Sequence, residues 1–387
     1  MTKAQARIKE VFSFFENKDI YLGYRKLMDC AIDTQNLDIY NEVISLTDWK
    51  ETYPEKEDEL IEKSLQILDK ISKIPIEEYN TQTPVVSGTN LVKSYGHDRF
   101  TLGPISINIH KGDVYGLVGE NGNGKTTLLR VLAKELKYNK GSLDFNFDKI
   151  YHSDYDLRSN LVYIPQRTQK WYGSLKDNLK FVLSNYGISP QENETRVLMM
   201  IARFGLWNYK HLKWNELSSG YKMRFELART LLRQPELLLL DEPLANLDVL
   251  AQQVILEDLK SICNSINNPI ALILSSQQLY EVEKVSDKVI YLKNGAYKEN
   301  ESEDNDTITD VKNYLIVEID CKCERDKLKQ IFTDLHLEKL IFNGGIYVAY
   351  FPINTTFPLV LETLGKHKID VTYTRNITKS TRRFFVS

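Results

Sequence analysis

Apolar positions over the first 75 residues recur every three or four places, in four runs. The first holds Ile8, Val11, Phe12 and Phe15, and the second Tyr21, Tyr24, Leu27, Met28 and Ile32. Leu37, Tyr40, Val43 and Ile44 follow, and then Leu60, Ile61, Leu65, Leu68, Ile71 and Ile74, before Pro75. That spacing lines one face of each run with apolar groups and predicts helices. The rhythm then changes. Ile105 to Ile109 alternates at period two. Val114 to Val118, Leu161 to Ile164, Leu237 to Leu240, Ile270 to Leu274 and Lys288 to Leu292 are short apolar runs bounded by turn and helix signals, as buried strands are. From 171 to 216 the pattern is helical again. Its start signals are Ser174-Leu175-Lys176-Asp177, a capping box with Asp for Glu, and Ser189-Pro190-Gln191-Glu192, a fuller one with proline at the first helical position.

These rhythms divide the chain. Residues 1–80 read as an all-α region, either a docking module for a partner or an appendage packed on its own chain. Residues 88–297 read as an α/β body carrying a helical subdomain at about 171–232. Residues 298–311 are polar and acidic (Glu299, Glu301, Glu303, Asp304, Asp306), the composition of a solvated linker. Residues 312–387 read as a strand, a helix, two strands around Asn343-Gly344-Gly345, a helix and a last strand, the ferredoxin-like order of a small α+β domain.

Composition narrows the classes. Of 387 residues, 42% are hydrophobic and 27% charged, which suits packed domains rather than a disordered chain. A net charge of −3 leaves no overall basic footprint, so no nucleic-acid partner is expected. Apolar runs fall far short of the roughly 20 residues that span a bilayer, and no signal-peptide core is evident. A cytoplasmic protein, reaching the membrane only through a partner, is the expectation. Cys321-Lys322-Cys323 offers half a metal site, but Leu315, Val317 and Ile319 alternate into Cys321 and favour a strand.

The chemistry centres on Gly119 to Thr127, read Gly-Glu-Asn-Gly-Asn-Gly-Lys-Thr-Thr, between an apolar strand and a helical pattern. This is the setting that G-x-x-x-x-G-K-[ST] needs to act as a phosphate-binding P-loop. Glycines let backbone N–H groups turn inward, and the helix N-terminus adds partial positive charge. Gly119, Asn121, Gly122, Asn123, Gly124, Lys125, Thr126 and Thr127 are thus candidates for binding ATP, with Lys125 reaching its β- and γ-phosphates and Thr126 holding Mg²⁺. Asp241, at the end of Leu237 to Leu240, would position the same Mg²⁺, and Glu242 would polarise the attacking water as general base.

Over about residues 88–297 the chain resembles ATP-binding-cassette (ABC) ATPases, a P-loop NTPase family, with motifs in family order. Tyr95 matches the aromatic that stacks on adenine and Gly119 to Thr126 the Walker A loop. Gln166 matches the Q-loop glutamine that contacts Mg²⁺ and water. Leu217-Ser218-Ser219-Gly220-Tyr221 matches the signature usually written LSGGQ, and Asp241 with Glu242 the Walker B pair. Asn246-Leu247-Asp248 matches the D-loop. The resemblance implies an ATP sandwich in which Ser218, Ser219 and Gly220 face the γ-phosphate held by a second copy. It also implies a separately encoded transmembrane permease and a place on the cytoplasmic face of the cell membrane. Two departures stand out. Ser219 and Tyr221 replace the usual glycine and glutamine of the signature, and Gln277 stands where the switch histidine belongs. Neutral glutamine hydrogen-bonds but carries no proton, so the expected catalytic set of Lys125, Gln166, Glu242 and Gln277 should hydrolyse ATP slowly.

Three functions remain open on this reading. The first is the motor subunit of an ABC exporter, the second a soluble ABC ATPase acting on ribosomes or DNA, and the third a cassette that closes on ATP with little turnover. The C-terminal unit is similar to the accessory domain of some exporter-type cassettes, weakly so in Asn376-Ile377-Thr378-Lys379-Ser380, which suggests dimer support. Arg382 and Arg383 read as surface charges.

Overall fold

Helix boundaries follow the sequence's caps. The computed structural model describes residues 2–80, 83–96, 100–277, 282, 285–298, 314–343 and 345–378; the acidic stretch from Glu299 onward, and Lys379, Ser380, Arg382 and Arg383, lie outside them. Helix α1 (Lys3–Glu16) opens with a reciprocal capping box between Thr2 and Gln5. In α2 (Ile20–Asp33) the Asp19 side chain accepts from Leu22 N, and in α3 (Leu37–Thr52) Asn36 accepts from Asp38 and Ile39. Helix α4 (Glu57–Ser72) lacks a side-chain cap, but Glu57, Asp58 and Glu59 in its first turn meet the positive end of the dipole.

The buried faces of these helices belong to the same apolar cluster as two helices of the body, α8 (Pro190–Arg203) and α10 (Val249–Cys263). Residues 1–298 are one compact unit and residues 299–387 another, so the N-terminal helices are packed on their own chain. Ionic groups reinforce that junction. Arg203 of α8 is buried between Asp29 of α2 and Asp258 of α10, the latter at 2.6 Å. Arg25 also reaches Asp258 at 2.6 Å, and Glu257 at 2.9 Å. Burial alone would pull the Arg203 guanidinium down, but Asp29 and Asp258 outweigh it and hold it above its ordinary value. Burial would likewise raise the Asp29 carboxyl, yet Arg203 and then Lys26 outweigh it and hold it below.

The body is built on β3 (Val114–Val118), β5 (Leu161–Ile164), β6 (Leu237–Leu240), β7 (Ala271–Ser276), β8 (Lys288–Lys293) and β9 (Ala296–Lys298), in the order β5-β6-β7-β3-β8-β9. Pairing is parallel except between β8 and β9. Strands β1 (Val86–Ser94), β2 (Thr101–Ile109) and β4 (Lys140–Phe145) make a separate antiparallel sheet, order β2-β1-β4. The region 171–232 carries α7 (Leu175–Ser184), α8 and α9 (Ser219–Leu231). Neither expected capping box is complete. Ser174 accepts from Asp177 N at 3.1 Å but then donates to the Asp177 carboxylate at 2.6 Å, a side chain one methylene shorter than Glu. Ser189 accepts from Glu192 N at 3.3 Å, while the Glu192 carboxylate accepts from Arg196 at 2.7 Å. Helix α5 (Lys125–Leu132) follows the glycine loop, and the short α6 (Asp154–Asn160), capped by Ser153, is an element that the hydrophobic pattern did not announce.

The second unit holds β10 (Tyr314–Cys321), α11 (Arg325–Ile331), β11 (Lys339–Asn343), β12 (Ile346–Pro352), α12 (Phe357–Lys366) and β13 (Val371–Asn376). Its sheet order, β11-β12-β10-β13 with every pairing antiparallel, is that of the split β-α-β ferredoxin-like fold. Cys321 ends β10 opposite Val371. Among the described residues no helix is long and apolar enough to cross a membrane.

The Arg203 junction gives a stability prediction. Asp29→Ala leaves a buried guanidinium with one of its two carboxylates and should destabilise the chain by about 2–4 kcal/mol in urea unfolding. Because the folded-state pKa of Asp29 is depressed, its contribution is present above about pH 4 and is lost as acid protonates it.

Candidate functional site

Strand β3 hands its last residue, Val118, to the glycine loop. Gly122 and Gly124 take left-handed φ of 83° and 101°, which glycine adopts at no steric cost. Gly124 is also the N-cap of α5 and offers no side chain to it, so the first N–H groups of the helix have no partner of their own. Unpartnered N–H groups at a helix N-terminus are suited to holding an anion. A Cβ on Gly124 would lie 2.8 Å from Leu102 Cδ1 and from Phe100 Cζ, so both side-chain tips would have to shift to admit it. Asn123 anchors the loop from below, its Oδ1 accepting from Asn294 N at 3.0 Å. Asn121 and Gly122 are at the exposed tip. Lys125 is buried and curls into the loop, donating to Gly119 O at 2.6 Å and Glu120 O at 3.3 Å, with its Nζ 3.5 Å from Glu242 Oε1.

The two carboxylates leave the end of β6. Asp241 is buried; its Oδ2 accepts from Thr126 Oγ1 at 2.8 Å and from the Tyr163 hydroxyl at 3.2 Å, and its Oδ1 from Ser275 Oγ at 2.8 Å. Burial, and then the Asp241 carboxylate, push the Tyr163 phenol above its ordinary value. Glu242 sits at φ 49°, a left-handed conformation uncommon for a residue with a Cβ. Its carboxylate accepts from Gln166 Nε2 at 3.0 Å and from Gln277 Nε2 at 2.8 and 3.0 Å. Beside these groups a cleft of about 650 Å³ opens, lined by Thr126, Tyr163, Gln166, Trp171, Arg229 and Asp241 among others.

The fold therefore brings Thr126 onto Asp241, and Lys125, Gln166 and Gln277 around the neighbouring Glu242. Tyr95 joins through Thr127, its hydroxyl 3.4 Å from Thr127 Oγ1, with its half-exposed ring beneath Lys93 Nζ at 5.3 Å. Thr126 and Asp241 present converging oxygens, which suits a hard divalent cation. Ser218, Ser219 and Gly220 are placed elsewhere. Ser218 caps α9 and accepts from Tyr221 N at 3.4 Å, and Ser219 Oγ donates to Asn246 O at 3.1 Å. Gly220 packs against α10, where a Cβ would meet Ala251 Cβ at 3.3 Å. Among the described residues, no hydrogen bond joins these three to the glycine loop. Tyr221 turns aside and stacks on Tyr209, ring centroids 4.0 Å apart. Tyr163 and Ser275 were not singled out from sequence. A signal for the second exists, since Ser275-Ser276 ends an otherwise apolar buried strand.

Residues 102–245 match the family described as ABC transporter. The lantibiotic transport ATP-binding protein SrtF of Streptococcus pyogenes is 31% identical over 207 residues, 53% of this chain and 86% of its own. The spermidine/putrescine import ATP-binding protein PotA of Mycoplasma mycoides subsp. mycoides is 31% identical over 221 residues, 54% of this chain and 59% of its own. Among solved structures, cbiO1 from Clostridium perfringens, described as part of the ABC transporter complex cbiONQ, aligns with a TM-score of 0.51 at 26% identity, covering 56% of this chain and 88% of its own.

Gly124→Ala tests the loop geometry. Forcing a Cβ into the left-handed position costs about 1–3 kcal/mol, so nucleotide affinity in a fluorescent-ATP titration should fall by about 5- to 150-fold.

Proposed function

The chain is an ABC transporter ATP-binding protein, an ATPase and the motor subunit of a transporter, and from that premise we propose that it drives export through a separately encoded permease. In this reading two copies close around two ATP molecules at the cytoplasmic face of the membrane. The observation that carries it is the separation within one chain of the glycine loop from the helix tip at Ser218. Each is a helix N-terminus suited to an anion, and among the described residues no hydrogen bond joins the two. A two-fold pair brings the two together twice, because the same two patches meet reciprocally.

Lys125 and the N–H groups of α5 bind and orient the phosphates. Thr126, Asp241 and Gln166 would hold Mg²⁺, which when bound neutralises charge on the transferred phosphoryl group. Glu242 takes a proton from water, and the amides of Gln166 and Gln277 hold its carboxylate in place. Gln277 contributes hydrogen bonds and no proton, so turnover is slow compared with a cassette bearing histidine there.

The lantibiotic transport relative is compatible with export, and the spermidine/putrescine import relative favours import, the second reading. One experiment separates them. The tagged chain, purified from detergent-solubilised membranes, should bring down a polytopic protein. Reconstituted with ATP outside the vesicles, that pair should load cargo into the lumen. Cargo leaving the lumen on ATP addition would support import, and no polytopic partner would defeat both.

A further inference from the structure

Strand β7 carries a buried hydroxyl, that of Ser275, beside both carboxylate-bearing residues. Ser275 is fully buried, pairs in register with Leu117 of β3, and belongs to the strand lying between β3 and β6. A hydroxyl taken out of water in a run of leucines and isoleucines is costly unless it is satisfied. This one is satisfied twice, by the two residues that carry the chemistry. It donates to Asp241 Oδ1 at 2.8 Å and accepts from the backbone N–H of Glu242 at 2.8 Å.

The second bond falls where the backbone is strained. Glu242 holds φ 49°, and such a conformation persists only where its surroundings over-determine it. Ser275 supplies the acceptor that the turned N–H requires. Two residues along, where side chains return to the same side of a strand, Gln277 takes the Glu242 carboxylate at 2.8 and 3.0 Å. The end of β7 thus grips the neighbouring segment at three points: the carboxylate of Asp241, the backbone of Glu242 and the carboxylate of Glu242.

We propose that Ser275 is a positioning residue whose single hydroxyl fixes the metal-holding carboxylate and the general base relative to each other. It acts through Asp241 and Glu242, and so rests on the assignment of Glu242 as base.

The test is steady-state ATP hydrolysis by the full chain carrying Ser275→Ala, which removes both hydrogen bonds, or Ser275→Cys, which keeps the volume but is a weak donor and acceptor. Both should lower kcat at least about fivefold while KM for ATP stays within about twofold of wild type, because binding at the loop is untouched. A kcat for Ser275→Ala within about twofold of wild type would overturn the proposal. So would recovery by Ser275→Cys while Ser275→Ala stays slow, since filling the space would then suffice. Glu242→Gln, assayed alongside, separates the two claims. If it turns over like wild type, the base assignment fails and Ser275 falls with it. If it is inactive while Ser275→Ala is not, only the role of Ser275 fails.

Discussion

The hydrogen bond from Thr126 to Asp241, 2.8 Å long and closing 115 residues of chain, is the contact on which the site depends. It joins a helix that follows β3 to a carboxylate that follows β6, two strands that are not neighbours. Between them runs β7, in register with both, Leu274 beside Leu240 on one side and Gly116 on the other. The parallel sheet therefore brings three strand ends level. The groups around Asp241 and Glu242 then emerge at one end of the strands, where doubly wound sheets place their ligands. Loop closure over such a separation costs entropy that only a buried, fully bonded arrangement returns. The apolar strands β6 and β7, with Leu237 to Leu240 and Ala271 to Leu274 all buried, provide that return.

The N-terminal helices extend the same logic outward. Arg203 ties α8, in the helical region, to α10 in the body through Asp258, and Asp29 brings α2 to the same guanidinium. Helix α9, whose tip carries Ser218, leans on α10 through Gly220 and on the D-loop through Ser219. Replacement of the signature's first glycine by Ser219 thus adds a bond to Asn246 O, and Asn246 itself sits at φ 65°. Replacement of its glutamine by Tyr221 adds a stacking contact with Tyr209.

Local rules made much of this legible in sequence. Glycines that need a left-handed backbone, a strand that is apolar throughout and ends in Asp-Glu, and N-caps such as Ser174 and Ser189 all act over a few residues. Non-local bonds did not show. Ser275 reads as one more strand residue until the register sets it opposite Asp241, and Tyr163 reads as strand until its hydroxyl finds the same carboxylate. The apolar faces of α1 to α4 announced a core but not whose. The answer required Asp29, Arg203 and Asp258, far apart in the chain, to converge. Ser189 and Glu192 had the spacing of a complete capping box, yet Arg196 one turn on competed for the Glu192 carboxylate.

The proposal on which the rest turns is that a single copy holds a phosphate cradle and a second anion-binding tip that do not meet. Sedimentation of the Glu242→Gln chain with ATP and Mg²⁺ measures this most directly, because suppressed turnover would leave the closed state populated. A shift from one copy to two on adding ATP, abolished by Ser218→Arg, is the expected result. Pairing that ignores ATP, or that survives Ser218→Arg unchanged, would contradict it.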